Sequence, residues 1–166
     1  MSPALRRPEP ITDRHDINGF DCGNATLNAW LVERALDNEL RGATRTFVAT
    51  RGRSAVGYYS LAVSSLHRRD ATGRVRRNTP EPIPAMLLAR LAVDRSAQRE
   101  GLGRQLLRDA MLRTLDAAEI AGIRILLVHA IDEPAKAWYR QFDFEESPTD
   151  PLQLMLLLED LRYELQ

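Results

Sequence analysis

The sequence predicts an α/β fold built on a mixed, mostly antiparallel sheet with helices on both faces. Three observations lead there. Two β-rich runs, residues 46–50 and 55–64, flank Arg51-Gly52-Arg53-Ser54, the pattern of an antiparallel hairpin. Helix and strand patterns then alternate along the rest of the chain, which calls for a mixed sheet covered by helices. Between two of them lies Gln98-Arg99-Glu100-Gly101-Leu102-Gly103-Arg104, a glycine loop that joins an apolar strand to a long amphipathic helix.

Composition sets the outer bounds. A chain of 166 residues suits one domain, here 1–166, and can bury roughly two thirds of its unfolded surface. Charge balances at 23 basic against 23 acidic residues, which excludes a global basic field for nucleic acid or an anionic membrane. Lys136 is the only lysine, so nearly every cation is an arginine, a planar and bidentate donor to phosphate and carboxylate. Cys22 stands alone, leaving neither an internal disulfide nor a thiolate metal cage, and His15, His67 and His129 share no metal-ligand spacing. No run approaches the ~20 apolar residues of a membrane span and no leader pattern opens the chain, so a soluble, cytoplasmic protein without membrane partners is expected.

Taken in order, residues 1–10 read as an extended arm or edge strand. Asn24 is placed to cap a helix whose apolar face is Leu27, Trp30, Leu31 and Ala35, running to about Asn38. Trp30 and Cys22 read as packing residues. In the second strand of the hairpin, Leu61 and Val63 alternate with Ala62 and Ser64, giving one apolar and one small face. Residues 67–84 read as a long basic loop carrying Arg68, Arg69, Arg74, Arg76 and Arg77. It is either a solvated excursion or a phosphate-contacting patch. Residues 86–93 are nearly all apolar and read as a central strand; Arg90 is the exception, where an unpaired guanidinium would be costly, so it anchors a substrate or forms an internal ion pair. The next helix presents Leu106, Leu107, Ala110, Met111, Leu115 and Ala118 and runs to about Ala121, before Gly122. A strand at 123–130, a helix at 133–142 and a strand at 154–158 follow. His129, at a strand end, reads as a structural hydrogen-bonding residue. From residue 143 on the chain carries seven acids and one arginine, the opposite bias to the arginine loop.

The glycine loop is the strongest chemical signal. A strand–loop–helix turn aims unpaired backbone N–H groups and the positive end of the helix dipole at one anion, and Gly101 and Gly103 let the backbone come close. The lysine and hydroxyl of a nucleoside triphosphate loop are missing, as is the Gly-x-Gly-x-x-Gly dinucleotide fingerprint. Gln98-x-x-Gly101-x-Gly103 following Arg90-Leu91-Ala92-Val93 resembles the acetyl-CoA loop of the Gcn5-related N-acetyltransferases, the GNAT family. The resemblance implies that the amides of Gln98, Arg99, Glu100, Gly101, Leu102, Gly103 and Arg104 hold the cofactor pyrophosphate, and that strand residues Leu91, Ala92 and Val93 hold the pantetheine and thioester oxygen. Ala135-Lys136-Ala137-Trp138-Tyr139 through Phe144 likewise resembles the family segment whose tyrosine protonates the departing thiolate, which assigns Tyr139 as the catalytic acid. Asp143 occupies the position that is usually glycine.

The resemblance extends to one subgroup, the acetyltransferase toxins of type II toxin–antitoxin pairs. Phe20-x-Cys22-Gly23-x-x-x-Leu27-x-x-Trp30-Leu31, Leu88-Ala89-Arg90-Leu91-Ala92-Val93-Asp94, and Phe144 with Ser147-Pro148-x-Asp150-Pro151 carry it. It implies an acetyl-CoA-dependent enzyme that acetylates the α-amino group of aminoacyl-tRNA and blocks translation, a ribbon-helix-helix antitoxin as partner, and a homodimer. An α-amino group titrates near 8 and the ester of a charged tRNA lowers it further, so a strong protein base is dispensable. Arg77 and Arg90 are then the leading candidates for RNA anchoring, beside Arg68, Arg69, Arg74 and Arg76. Two other readings fit the same loop: acetylation of a protein N-terminus, lysine or small amine, and a non-catalytic CoA-binding module.

Overall fold

The strands of the computed structural model, which describes residues 3–165, are β1 (Leu5–Pro10), β2 (Arg45–Arg51), β3 (Ser54–Leu66), β4 (Ile83–Val93), β5 (Ile125–His129), β6 (Glu145–Glu146) and β7 (Gln153–Leu157). The helices are α1 (Ala25–Glu33), α2 (Ala35–Leu40), α3 (Gly73–Arg76), α4 (Leu102–Ala118), α5 (Glu133–Arg140) and α6 (Leu158–Leu165). The strands hydrogen-bond in the order β1-β2-β3-β4-β5-β7-β6. Only the β4–β5 pairing is parallel among the registered pairs, so the sheet is mixed and mostly antiparallel, as expected. The chain divides into two compact units, one holding the stretch up to Ala62 with Ala89–Ala110, the other Val63–Leu88 with the stretch from Met111 onward.

In the first unit β1 pairs antiparallel with β2, and β2 returns as β3 through the two-residue turn Gly52-Arg53, where Gly52 takes φ +62°. Asn24 caps α1 by accepting the Leu27 N–H at 3.1 Å. The helix expected to reach Asn38 is broken: Arg34 leaves the helical region at φ −124°, and α2 restarts with the fully buried Ala35. Neither glycine nor proline marks that break. Ile11, Phe20, Leu31, Ala35, Val48, Ala55, Tyr58 and Ala92 form the core, with Trp30 and Cys22 only half-buried against it. Gly57 marks a close approach: a Cβ there would meet Leu106 and Leu102 side chains at 3.0 and 3.1 Å, so β3 needs glycine to seat the start of α4.

In the second unit β4 runs parallel to β5 from Ala85↔Ile125 to Leu88↔Val128, and β7 pairs antiparallel with both β5 and β6. Leu66, Val75, Ile83, Ile125, Leu127, Met155 and Leu157 are its central packing. Four expectations need correction. Val63 is 87% exposed although Leu61, on the same side of the strand, is buried, so the apolar alternation does not mark one continuous buried face. Residues 67–84 are not one loop but a 3-10 turn (Arg68–Asp70), α3 capped by Thr72, and the first residues of β4. Helix α4 stops at Ala118, three residues short, its end passing through turn bonds before Gly122 is reached. The last strand ends at Leu157, where Leu158 donates its N–H to the Arg124 carbonyl and starts α6, an element the sequence reading missed.

Candidate active site

The glycine loop leaves β4 at Val93 and enters α4 at Leu102. Its backbone is unusual at two places: Arg99 has φ +67° and Gly101 φ +81°. Positive φ is costly for an arginine, and alternation of this kind turns successive N–H groups toward one concave side, an anion-binding arrangement. Gln105 donates its N–H to the Gly101 carbonyl at 3.2 Å, and the amides of Leu102 and Gly103, in the first turn before it, point out of the helix end. A Cβ on Gly101 would meet nothing within 4 Å; the loop faces open space. Glu100, an acid in a phosphate loop, is drawn aside by Arg51 at 2.5 Å. These residues fit the pyrophosphate of a CoA thioester.

A hydrogen-bond network fastens this loop to the segment before α1. The Gln98 side-chain amide donates to the carbonyls of Val93 at 2.9 Å and Cys22 at 3.1 Å. Asp94 accepts the Asp21 N–H at 2.7 Å and both the N–H and hydroxyl of Ser96. Asp21 in turn accepts from the Gly23 N–H and the Asn28 amide, and Arg95 donates its N–H back to the Asp21 carbonyl. Gly23 and Asn28 bonds hold the Asp21 carboxyl below its usual range. Burial pushes Asp94 up, but the Ser96 and Asp21 bonds outweigh it and leave that carboxyl lowered too. Asp21, Asn28 and Asp94 were not singled out from the sequence as site residues; Asp21 and Asn28 lie within the stretch from Phe20 to Leu31 and Asp94 ends the one from Leu88, and the two stretches meet through the Asp21–Asp94 bond.

Beside Leu91, the Arg90 guanidinium lies over the Trp30 ring, 4.0 Å from its centre. Trp30 stacks on Tyr58, whose hydroxyl donates to the Leu27 carbonyl at 2.7 Å. Among the described residues Arg90 has no acidic partner, so of the two readings left open the internal ion pair is absent. Burial pulls its pKa down, yet a guanidinium stays charged, and its donors are left for a ligand. Leu91 and Val93 lie beyond the last registered β4–β5 pair at Leu88.

In the second unit, Asp132 caps α5 through the Ala135 N–H at 2.9 Å and Tyr139 is carried on the buried side of that helix. Its ring meets Trp138 and Phe144 edge to face. Among the described residues the hydroxyl has no hydrogen-bond partner, and burial raises its pKa, so it is protonated at neutral pH and free to donate. Asp143 ends the segment at φ +69°, the left-handed conformation that glycine would take and that aspartate tolerates better than most residues. One turn before Tyr139, Lys136 is clasped by Glu146.

The arginine segment is held firmly. Arg124 donates to the carbonyls of Val75 at 3.1 Å and Arg77 at 3.0 Å. The Ser147 hydroxyl donates to the Asp70 carbonyl at 2.6 Å and Thr149 to the Asp70 carboxylate at 2.6 Å, which gives the Ser147-Pro148-x-Asp150-Pro151 motif a physical role. Arg74 is engaged by Asp160 at 2.5 Å and Glu145 at 3.3 Å. Arg69, Arg76 and Arg77 are exposed without acidic partners among the described residues; Arg68 is exposed too, with its backbone N–H donating to the Glu81 carboxylate at 3.2 Å and its guanidinium on no acid. His129 is exposed and makes no side-chain hydrogen bond among the described residues, against the expectation of a structural role.

The glycine loop, with its positive-φ turns ahead of a helix end, is the mark of a class of proteins that bind a phosphate-bearing cofactor. Residues 42–146 match the model of the acetyltransferase (GNAT) domain, and the chain belongs to that family. It is similar to the tRNA-acetylating toxin of Mycobacterium tuberculosis, 51% identical over 155 residues that make up 93% of each chain. It also resembles the solved structure of AtaT complexed with acetyl-methionyl-tRNAfMet, at 27% identity and TM-score 0.91 over 98% of this chain and all of that one. A mutant AtaT toxin bound to the C-terminus of the antitoxin AtaR and acetyl-CoA matches at 27% identity and TM-score 0.82, covering 97% of both. No helix among the described residues is long and apolar enough to cross a membrane.

Proposed function

We propose that this chain is a toxin N-acetyltransferase that moves the acetyl group of acetyl-CoA to the α-amino group of an aminoacyl-tRNA and so stops translation. The observation that carries the reading is 51% identity to a tRNA-acetylating toxin across 93% of both chains. Acetyl-CoA supplies the activated acyl group. The loop amides from Gln98 to Arg104 bind its pyrophosphate, and the β4 amides of Leu91 and Val93 hold the pantetheine and polarise the thioester carbonyl. The amine is nucleophilic once neutral, so the protein's task is to position it. As the N–C bond forms and the C–S bond breaks, the Tyr139 hydroxyl gives its proton to the thiolate. The proton shed by the amine reaches the phenolate through solvent and restores it.

Arg90 and Arg77 anchor the RNA, with Arg68, Arg69 and Arg76 adding phosphate contacts. Arg74, held by Asp160 and Glu145, contributes least. The antitoxin is a ribbon-helix-helix protein, the toxin works in the cytoplasm as a homodimer, and residues 1–166 act as one catalytic domain. The test is transfer of label from acetyl-CoA into a pool of charged tRNAs, with uncharged tRNA, bulk protein and the Tyr139→Phe enzyme alongside. Label on charged tRNA alone, lost in the variant, is the expected result. Label on protein or small amines instead overturns it.

A further inference from the structure

A second basic site lies in the first unit, built from segments that neither the cofactor loop nor the Arg90 cluster uses. Arg6 on β1, Arg14 in the turn after it and Arg53 at the tip of the β2–β3 hairpin line one cavity of about 560 Å³, together with Glu9, Pro10, Thr12, His15 and Gly52. Four other arginines of this unit sit on acids: Arg41 on Asp37, Arg45 on Glu39, Arg51 on Glu100, Arg95 on Asp21. Among the described residues Arg6, Arg14 and Arg53 have no such partner.

The one carboxylate in the lining is already engaged. Glu9 receives His15 Nε2 at 2.8 Å, and the bond from His15, with the charge of Arg6 a lesser contribution, holds its pKa low. His15 Nδ1 accepts the Thr12 N–H at 3.0 Å, which leaves Nε2 as the nitrogen that donates to Glu9. The ring thus closes the 12–15 turn without competing for an anion.

The three arginines stand on a fixed frame. The Asp16 N–H donates to the Arg53 carbonyl at 2.7 Å and Ala55 donates to the Asp16 carbonyl at 2.9 Å, tying the turn to the hairpin tip, while Arg14 donates its N–H to the Thr12 hydroxyl. Collecting like charges around a cavity on a rigid frame is unfavourable until an anion enters, and planar guanidinium forks suit phosphate oxygens. We propose that this cavity binds a backbone phosphate of the RNA substrate, a second contact point that holds the tRNA body. The inference rests on the tRNA reading above.

Arg14→Glu and Arg53→Glu test it, both being exposed side chains whose replacement leaves the fold intact. Each reversal is expected to raise KM for charged tRNA about tenfold at moderate salt, and the pair together to flatten the log KM against log salt slope by about two. kcat and KM for acetyl-CoA stay at wild-type values. Wild-type KM and slope in both variants, with the wild-type enzyme acetylating charged tRNA, overturn the site. Fluorescence anisotropy with uncharged tRNA separates the two readings: binding that the variants lose, from a wild type that transfers no acetyl group, upholds the phosphate site and sinks the substrate assignment.

Discussion

The Arg90 guanidinium rests 4.0 Å from the centre of the Trp30 ring, so the one charge in a strand of apolar residues is carried on an aromatic face and not on an acid. The arrangement supports the cation without neutralising it. Arg90→Ala is expected to raise KM for charged tRNA about tenfold and reduce the salt slope by about one. Arg90→Lys keeps the charge but loses the planar stack, and should recover only part of that loss. Steady-state kinetics at several salt concentrations check both.

Tyr139 presents a different case, because its hydroxyl has no protein partner among the described residues. Tyr139→Phe should therefore leave thermal stability within about 0.5 kcal/mol of wild type. Its kcat should fall by roughly two to four orders of magnitude, the range for a lost proton donor, with KM for acetyl-CoA unchanged.

Gln98 clips the loop to Val93 and Cys22. Gln98→Leu removes two bonds worth about 1 kcal/mol each and frees the loop, so KM for acetyl-CoA should rise several-fold while KM for charged tRNA holds. Isothermal titration with CoA reads the same change directly.

Asp21 and Asp94 set the acid limit of this network. Both carboxyls have folded pKa values below the unfolded value of about 3.9, so their contribution to stability is complete above that pH and is lost as pH falls through the folded values. The stability gap between wild type and Asp94→Asn should be constant from pH 5 to 7 and narrow below about pH 4. Thermal melts across that range measure it.

Asp143 holds φ +69° at the exit of α5. Asp143→Val should cost about 1–2 kcal/mol, because a branched side chain fits the left-handed region poorly. Asp143→Gly should stay within about 1 kcal/mol of wild type. Urea denaturation separates the two.

The parts of the fold legible in the sequence are those written in local chemistry. Asn24 announced a cap, Gly52-Arg53 a hairpin tip, and the two glycines after Val93 the turn into α4. The alanine-rich segment before Tyr139 placed that residue on a helix. What escaped reading depends on residues far apart in the chain. Arg74 meets Asp160 across 86 positions, Gln98 reaches Cys22 across 76, and Asp21 meets Asp94 across 73. No local pattern encodes such pairs. The break at Arg34 was hidden for another reason: buried Ala35 follows it with no glycine or proline to mark the change.

Lys136 is the chain's single lysine, and with Glu146 on its ammonium its side chain is only 13% exposed. An acetyltransferase, whose chemistry is aimed at amines, thus keeps almost no side-chain amine of its own within reach. The fold thereby withholds the chain's one lysine from acylation.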